Sequence, residues 1–385
     1  MHKTIGILGG GQLGKMLMEA GSPLNFQYQF LEAKADCPAS LVSRNQTIGS
    51  LQDAEKINEL ASKSDVITFE IEHVNTEALE KIYASGKLVI PNPSVLSIIQ
   101  DKGLQKEFYA THNIPTLDFQ LADTKNLGHI IENWSEEKFV LKHRKGGYDG
   151  KGVQLLSKTS YSELAKNNDE SLHSETGYVV EKMANDAKEI SVIVAVAQDG
   201  NTHSYEPCEM VFDPKSNLMD YLIVPCSLNA ELIDRCKSIA QQVVAAFGSP
   251  GLFAVELFAE ASGDVYVNEI APRPHNSGHH TIESAYISQY EQLNRILLGL
   301  PLGNCDLITP AATCNIVGPE NVNGAYTLGN LDEVLQISGV YIHMYGKKQT
   351  SPNRKLGHFT VIDPDKAKVV RKMEAVKELL QVVRI

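Results

Sequence analysis

The sequence predicts an α/β protein with two or three domains. Strand-like and helix-like patterns alternate over residues 1–95, which is typical of a parallel sheet whose strands are joined by crossover helices. Two glycine-rich segments, 9–14 and 146–152, each follow a short apolar strand, as expected where backbone approaches a phosphate. A chain of 385 residues is also too long for one simple core.

Residues 1–95 are predicted to form a Rossmann-like domain, which ends at the chain break Pro91-Asn92-Pro93. Its predicted strands are Thr4–Leu8, Gln27–Glu32, Val66–Glu70 and Lys87–Ile90, and its predicted helices are Gln12–Ala20, Asp53–Lys63 and Thr76–Ser85. Residues 96–300 are predicted to form an α+β domain, and residues 301–385 a small β-rich domain. Their predicted helices are Ser94–His112, Tyr161–Asn167, Asn229–Phe247 and Asp365–Val382, and their clearest strands are Glu189–Ala197, Gly251–Ala259 and Asp264–Ile270.

Composition and charge limit the classes of partner. A net charge of −12 argues against nucleic acid or an anionic membrane as the main partner, since both favour a basic surface. The six cysteines show no Cys-x-x-Cys and no metal-ligand spacing, as in a reduced cytosolic protein. The short apolar run before the N-terminal glycines leads us to expect no signal peptide, and no segment approaches the ~20 apolar residues of a membrane span. We therefore expect a cytoplasmic protein.

The first glycine-rich turn, residues 9–14, has the spacing Gly-x-Gly-x-x-Gly between a predicted strand and a predicted helix. Glu32, about twenty residues later, could bind a ribose hydroxyl, so the pattern fits an NAD-dependent oxidoreductase. The glycines alone indicate only a close backbone approach at a helix N-terminus, where any phosphate or carboxylate binds well. Both interpretations stay open on this motif.

The second glycine-rich segment contains four glycines within residues 146–152 and follows Lys142, His143, Arg144 and Lys145. Backbone amides of such a loop can face a polyphosphate, and the surrounding cations can balance its charge. The spacing is not that of the usual nucleoside-triphosphate loop. A hairpin turn would explain one or two of the glycines but not the accompanying cations.

Two carboxylates are predicted to face each other on a hairpin. A four-residue loop at 261–264 between the strands would pair Glu256 with Glu269. Like charges across a ladder repel, and oxygen ligands suit Mg²⁺ bridging phosphates, so the pair predicts a metal site. A slip of one residue would place the two on opposite faces, and an exposed pair without metal is the alternative.

Residues 268–281, NEIAPRPHNSGHHT, combine one carboxylate, one guanidinium and three imidazoles directly after an apolar strand. Such polar density is a poor way to build a core, because each buried polar group needs a partner. We expect a rigid loop that presents an acid and cations to an anionic, metal-bound ligand. A solvated loop is the alternative.

A cationic cluster lies within residues 343–358, where glycines and a proline indicate a shaped loop. Its members are His343, Lys347, Lys348, Arg354, Lys355 and His358. Such a loop could receive a phosphate monoester. Charge runs are common, so a solvated face is the alternative.

Taken together, these segments resemble the ATP-grasp superfamily and, within it, the 5-(carboxyamino)imidazole ribonucleotide synthases. The resemblance covers nearly the whole chain in order. It is carried by GGGQLG (9–14), KHRKGGYDGKG (142–152), EK (181–182), KEIS (188–191), VEL (255–257), NEIAPRPHNSGHHT (268–281), HMYGK (343–347) and RKLGH (354–358).

The resemblance implies an ATP-grasp fold with an N-terminal pre-ATP-grasp domain, a lid subdomain at about 115–182, and a C-terminal domain that binds the substrate phosphate. It implies that ATP, bicarbonate and 5-aminoimidazole ribonucleotide give the carboxyamino product, ADP and phosphate through carboxyphosphate. Mg²⁺, or else Mn²⁺, is the implied metal, and a homodimer is the implied assembly. A water-excluding lid suits an intermediate that hydrolyses easily.

The resemblance also implies an ATP site. Lys102 and Lys142 contact phosphates, Glu189 contacts the ribose, and Glu256 and Glu269 hold the metal with Asn268 beside them. The implied lid loop comprises Gly147, Tyr148, Asp149, Gly150, Lys151 and Gly152, and the implied adenine segment comprises Glu181, Lys182, Met183 and Ala184.

For the second half of the reaction, Arg273, His275 and Asn276 are implied to position bicarbonate and carboxyphosphate. The implied phosphate ligands of the ribonucleotide are Lys347, Arg354 and Lys355, with Lys347 and Arg273 contributing to both catalysis and substrate binding. The implied surroundings of its imidazole are Tyr148 and Asp149, with Gln12 and Leu13 on the far side.

Three departures from the family pattern concern the ATP side. Lys102 stands where an arginine is frequent, Val153 stands where a polar residue often follows the loop, and residues 207–212 lack an Asn and a His seen in many relatives. The competing hypotheses are a formate-dependent glycinamide ribonucleotide transformylase, a biotin-type carboxylase, an NAD-dependent oxidoreductase and a non-catalytic nucleotide-binding protein. Segment 343–358 argues against the first two, and the pair of glutamates against the last.

Overall fold

The computed structural model describes residues 3–146, 152–213 and 219–385. The first region holds a parallel sheet in the order β3-β2-β1-β4-β5 with helices packed against it. Its elements are β1 (Thr4–Leu8), α1 (Gln12–Gly21), β2 (Gln27–Glu32), β3 (Gln46–Ile48), α2 (Ala54–Ser62), β4 (Val66–Phe69), α3 (Thr76–Ala84) and β5 (Leu88–Val89). Fully buried Ile5, Ile7 and Phe30 form part of the core beneath α1. The predicted parallel sheet is confirmed.

A four-stranded antiparallel sheet follows, in the order β6-β9-β7-β8. The elements of this region are α4 (Pro93–Ile99), α5 (Lys102–Thr111), β6 (Phe119–Ala122), α6 (Leu127–Glu132), β7 (Lys138–His143), β8 (Val153–Ser157), α7 (Lys158–Lys166) and β9 (Tyr178–Glu181). The prediction of a single helix over 94–112 is wrong, because α4 ends at Ile99 and α5 begins at Lys102. The Asp101 side chain accepts hydrogen bonds from the amides of Gly103 and Leu104, which makes it the N-cap of α5.

The largest sheet in the described residues has the order β15-β14-β10-β12-β13-β16-β20-β18, with β11 paired to β10, and a separate small sheet has the order β19-β17-β21. The strands are β10 (Ala187–Val196), β11 (Thr202–Ser204), β12 (Cys208–Phe212), β13 (Met219–Val224), β14 (Gly251–Glu260), β15 (Val265–Ala271), β16 (Ala311–Val317), β17 (Gly324–Gly329), β18 (Val340–Met344), β19 (Gln349–Thr350), β20 (Lys355–Ile362) and β21 (Gln381–Arg384). The helices are α8 (Ala230–Phe247), α9 (Thr281–Ser284), α10 (Gln289–Leu298), α11 (Leu331–Leu335) and α12 (Lys366–Leu379). Short 3-10 helices cover Ser22–Leu24, Pro38–Leu41, Glu170–Leu172 and Asn276–Gly278.

Two features of this sheet matter for the site. β16, β20 and β18 extend the same sheet that carries β14 and β15, so the last part of the chain shares one continuous sheet with the carboxylate hairpin, with β10, β12 and β13 between them. The final predicted helix stops at Leu379, because the β-branched pair Val382 and Val383 joins a strand beside β17 instead. In the described ranges, no helix is both long and apolar enough to cross a membrane.

Candidate active site

The β14–β15 hairpin places Glu256 directly opposite Glu269, as predicted. The loop length from which this pairing was predicted was wrong. Glu260 N–H donates to Asp264 O at 2.8 Å, and Leu257 pairs with Val267, so the loop is one residue shorter than predicted. An extra residue at Asn268 then makes a bulge and returns the ladder to the predicted register. Without that bulge the two glutamates would lie on opposite faces.

The two carboxylates sit in different electrostatic surroundings. Glu269 forms an ion pair with Lys102, which lowers the pKa of Glu269 to about 2. Burial, and then the negative charge of Glu269, raises the pKa of Glu256 to about 8, and His275 Nε2 lies 3.4 Å from Glu256 Oε1. Burial also raises the pKa of nearby Glu189 to about 7. Burial thus disfavours the charged forms of Glu256 and Glu189, and a divalent cation would favour them, so the hairpin is a setting for such a cation.

Three side chains beside the hairpin form a buried ion cluster that the sequence did not reveal. Glu181 forms ion pairs with both Lys106 and Lys142. Lys142 Nζ lies 2.6 Å from Glu181 Oε2. Lys142 also donates to Asn268 Oδ1 at 2.9 Å, and Lys106 donates to Thr116 Oγ1 at 2.6 Å. Burial lowers the pKa of Lys106 to about 8. Although burial alone would raise it, the two lysines hold the pKa of Glu181 below its ordinary value.

Lys106 was missed by sequence reasoning, although its spacing carried a signal. Lys102 and Lys106 are separated by four residues and therefore share one face of α5. The side chain of Glu181, which was expected near adenine, forms ion pairs with Lys106 and Lys142. Lys182, in the same predicted adenine segment, pairs with Glu136 at 3.1 Å. The role of residues 181–184 at the adenine stays a prediction.

Arg273 and His275 lie just beyond the end of β15. Arg273 Nη2 is 2.8 Å from Glu72 Oε1, a partner from the first region that sequence reasoning missed. His275 Nδ1 lies 2.9 Å from Ser277 Oγ, which orients the imidazole toward Glu256. Asn276 Nδ2 donates to Asn315 Oδ1 at 3.2 Å. Of the three predicted residues, His275 contacts the carboxylate hairpin, Arg273 pairs with a glutamate of the first region, and Asn276 contacts β16.

The glycine turn 9–14 binds a carboxylate of its own chain. Glu70 accepts hydrogen bonds from the amides of Gly11 and of Gly14, the latter at 2.6 Å. A Cβ at Gly9 would lie 2.4 Å from Glu70 Cγ, so the close approach that requires glycine here is made by Glu70. Glu32, the predicted ribose ligand of an oxidoreductase, instead accepts from Gly10 N–H at 3.3 Å. The carboxylate of Glu70 therefore occupies the anion-binding position at the N-terminus of α1, which argues against a dinucleotide there.

The segment after β18 lies against the first region. Lys15 Nζ donates to Met344 O at 2.9 Å, and Lys348 Nζ lies 2.9 Å from Asp36 Oδ2. Since Lys15 follows Gln12 and Leu13 on α1, these contacts bring the two predicted substrate residues toward the loop that holds Lys347. Lys347 Nζ donates to Lys355 O at 2.7 Å, and Arg354 is exposed.

Three of the histidines predicted to act as cations, His279, His280 and His358, are buried and structural. His343 pairs with Glu283 at 2.6 Å and stacks on His358, while His358 stacks on His279 with ring centroids 4.3 Å apart. Burial holds the pKa of His279 and His358 well below its ordinary value, and it lowers the pKa of His280 to about 3. The cation-presenting role predicted for the imidazoles of 268–281 is therefore wrong for His279 and His280, and His358 is not part of a cationic cluster.

Some predicted residues are not tested by these contacts. Gly147, Tyr148, Asp149, Gly150 and Lys151 lie outside the described residues, while Gly152 has a positive φ of 75°. Searched over the described ranges alone, the chain shows no group of three or more His, Cys, Asp or Glu side chains that could hold a metal. Mg²⁺ at phosphate-binding sites usually takes one or two carboxylates, with phosphate and water as its other ligands, so the glutamate pair fits that pattern.

Comparisons with known proteins define the class first. The family model described as ATP-grasp domain matches residues 107–290, and that described as ribonucleotide synthetase preATP-grasp domain matches residues 1–100. A third, described as phosphoribosylaminoimidazole carboxylase C-terminal domain, matches residues 311–372. The fold is thus that of an ATP-grasp enzyme with a pre-ATP-grasp domain and a C-terminal domain, as predicted.

Relatives then give the family. The chain is 34% identical to N5-carboxyaminoimidazole ribonucleotide synthase of Brucella melitensis, over 94% of this chain and 96% of that protein. It is 36% identical to the N5-carboxyaminoimidazole ribonucleotide synthetase of Thermotoga maritima, with a TM-score of 0.88 and full coverage of both chains. The chloroplastic phosphoribosylaminoimidazole carboxylase of Vigna aconitifolia is 35% identical, and the chain spans 64% of its length. The chain belongs to the N5-carboxyaminoimidazole ribonucleotide synthase family of ATP-grasp ligases, which confirms the family predicted from the sequence.

Proposed function

We propose that this chain carboxylates 5-aminoimidazole ribonucleotide to 5-(carboxyamino)imidazole ribonucleotide, consuming ATP and bicarbonate and releasing ADP and phosphate in de novo purine biosynthesis. The observation that carries the proposal is the facing pair Glu256 and Glu269, set among Lys102, Lys142 and His275. Family membership supports it. A relative from Aspergillus clavatus, 29% identical over 98% of each chain with a TM-score of 0.87, was solved with ADP and 5-aminoimidazole ribonucleotide.

The ATP side of the site neutralises phosphate charge. Lys102 and Lys142 project toward the hairpin from α5 and β7, and both are positioned to transfer their contacts from Glu269 and Glu181 to phosphate oxygens. Lys106 then remains as the partner of Glu181, so that this buried carboxylate keeps a counter-charge. Glu256 and Glu269 would hold Mg²⁺, or Mn²⁺, which when bound neutralises charge on the phosphates.

The chemistry requires positioning more than a nucleophilic side chain. A bicarbonate oxygen attacks the γ-phosphorus and ADP leaves, which gives carboxyphosphate. The exocyclic amine then forms the new N–C bond by one of two routes: it attacks the carboxyl carbon of carboxyphosphate and displaces phosphate, or it captures CO₂ after carboxyphosphate has lost phosphate. In both routes the amine nitrogen gives up one proton, which the phosphate accepts. Arg273, held by Glu72, together with His275 and Asn276, positions the bicarbonate and its phosphorylated form.

The ribonucleotide is bound between the first and last regions. Lys347, Arg354 and Lys355 hold its phosphate, Gln12 and Leu13 close the far side, and Tyr148 and Asp149 remain the proposed imidazole contacts. The contacts of Lys15 and Lys348 across these regions support this arrangement. Further parts of the proposal are Glu189 at the ribose, residues 181–184 at the adenine, residues 147–152 as the lid, domain limits of 1–95, 96–300 and 301–385, a homodimer, and a cytoplasmic location.

The test is ADP release measured with each substrate omitted in turn. We expect ADP to form at the full rate only when ATP, bicarbonate and 5-aminoimidazole ribonucleotide are all present, with one carboxylated product per ADP. Equal rates without the ribonucleotide and without bicarbonate would contradict the proposal. Replacing bicarbonate by formate and the ribonucleotide by glycinamide ribonucleotide distinguishes the transformylase alternative, and tight NADH binding would favour the oxidoreductase.

A further inference from the structure

A bidentate ion pair joins the two elements that carry the phosphate lysines. Arg144 Nε lies 2.8 Å from Asp101 Oδ1, and Arg144 Nη2 lies 2.9 Å from Asp101 Oδ2. Asp101 is the N-cap of α5 and immediately precedes Lys102, while Arg144 comes two residues after Lys142 at the end of β7. The Asp101 side chain is only 6% exposed, so this pair is far better shielded than a surface ion pair.

The backbone adds a third connection at the same point. Lys102 N–H donates to Arg144 O at 2.8 Å, and Arg144 N–H donates to Gly177 O at 3.1 Å. The position of Arg144 is therefore fixed from α5 on one side and from the start of β9 on the other. Because Lys102 is the first residue of α5, any movement of Arg144 relative to Asp101 moves the Lys102 backbone with it.

Gly103, the residue after Lys102, leaves space for the Arg144 guanidinium. A Cβ at Gly103 would lie 2.6 Å from Arg144 Nε and 2.9 Å from Arg144 Cζ, closer than real contacts allow. Gly103 is the second residue of α5, directly after Lys102. The glycine at this position thus keeps open the space that the Asp101–Arg144 pair occupies.

We infer that Asp101 and Arg144 are positioning residues that set the separation between the ammonium groups of Lys102 and Lys142. The inference rests on the proposed function, in which both lysines bind the triphosphate of ATP. Each lysine meets the hairpin at a different residue, Lys102 at Glu269 and Lys142 at Asn268, so their spacing decides whether both reach one polyphosphate. In the proposed mechanism, Asp101 and Arg144 act through the two lysines and do not touch the reacting groups.

A purely structural role for Asp101 is the competing explanation, since an N-cap alone stabilises a helix by about 1 kcal/mol. The central variant is therefore Arg144→Lys, which leaves the cap intact, keeps the charge and removes the bidentate geometry. We expect the apparent KM for ATP to rise about tenfold and kcat to fall, while the KM for the ribonucleotide stays within twofold of wild type. Gly103→Ala, which displaces the guanidinium, should give the same pattern.

Two matched controls separate positioning from general damage. Arg295→Lys makes the same substitution in a similarly exposed arginine, 26% against 25%, that pairs with Glu291 in α10. Gly128→Ala makes the same change in α6, where the nearest atom to a new Cβ would be Tyr161 Oη at 3.8 Å. Both controls should keep the KM for ATP within twofold.

A double-mutant cycle completes the test. Asp101→Asn keeps a capping side chain, and Asp101→Asn combined with Arg144→Lys should be no worse than the more damaging single variant. The inference is overturned if Arg144→Lys and Gly103→Ala keep the KM for ATP within twofold, or if both KM values rise together with a lowered unfolding midpoint. A wild-type protein whose ADP release ignores the ribonucleotide and bicarbonate would instead refute the proposed function.

Discussion

The polar segment 268–281 divides into a first half, residues 268–276, and a second half, residues 277–281, that have opposite roles. In the first half, Asn268, Glu269 and His275 contact Lys142, Lys102 and Glu256, all of which lie in the proposed ATP site. In the second half, His279 and His280 are 0% and 2% exposed, and within the described residues their rings hydrogen-bond to hydroxyl groups. Side chains of the first half contact charged groups that can instead bind a ligand, whereas the histidines of the second half form part of the protein interior.

The difference lies in the partners rather than in the residue types. His279 Nδ1 lies 2.9 Å from Tyr290 Oη, its Nε2 lies 3.3 Å from Tyr345 Oη, and the same hydroxyl lies 3.0 Å from His358 Nδ1. This network gives both ring nitrogens of His279 a partner without any net charge, whereas His358 Nε2 is buried with no hydrogen-bond partner in the described residues. The network also joins the loop after β15 to β20 and the segment after β18, which supports the neighbouring Lys347. Polar density in a sequence therefore indicates a site only where unlike charges meet.

The largest expected effect comes from breaking the charged half. Glu269→Gln removes one charge from the carboxylate pair while keeping its shape, so Lys102 loses its ion partner and a divalent cation loses a ligand. We expect turnover to fall by about 10³-fold, equivalent to about 4 kcal/mol of transition-state stabilisation, with the unfolding midpoint little changed. ADP release at saturating substrates is the measurement. Glu260→Gln, a partly exposed carboxylate on the same hairpin, should stay near wild type, and a Glu269→Gln rate within tenfold of wild type would contradict the metal role.

The β14–β15 hairpin shows which structural features could be predicted from the sequence and which could not. Alternating apolar residues and a short polar turn were enough to predict two strands and a facing pair of glutamates. The bulge at Asn268 was not predictable, because it depends on how β15 packs and not on the turn residues. Two errors of one residue, in the turn and at the bulge, cancelled at Glu256 and Glu269.

The side chains that sequence reasoning missed come from distant parts of the chain. Glu70 and Glu72 follow β4 and reach the glycine turn and Arg273, respectively, across gaps of 56 to 201 residues. Only the parallel order of β1 and β4 brings them there. The neutrality of His279 and His358 likewise depends on burial, which a local sequence pattern of polar residues conceals. Local periodicity predicted the elements, whereas the partners required the tertiary structure.

A second prediction separates the halves by stability. His279→Ala removes the partner of Tyr290 Oη and the ring on which His358 stacks, and it leaves a cavity in a fully buried region. We expect the free energy of unfolding to fall by about 3 kcal/mol. His275→Ala, in the charged half, should lower it by less than about 1 kcal/mol while reducing turnover more strongly. Urea unfolding of both variants is the measurement. Similar losses of stability in the two would remove the distinction between the halves.

The smallest predicted effect is a change in pH dependence. The folded-state pKa of His280 is about 3, below the ordinary value of about 6.5, so between these values the unfolded chain binds more protons. Stability from the neutral imidazole is therefore complete above pH 6.5 and is lost as the pH falls toward 3. Between pH 8 and pH 6, wild type should lose about 0.8 kcal/mol more than His280→Asn, whose amide can still meet Ser284 Oγ. The raised pKa of Glu256 acts in the opposite direction but is common to both proteins and cancels in the difference. Urea unfolding at both pH values measures this, and identical losses would mean that the folded protein accommodates a charged His280.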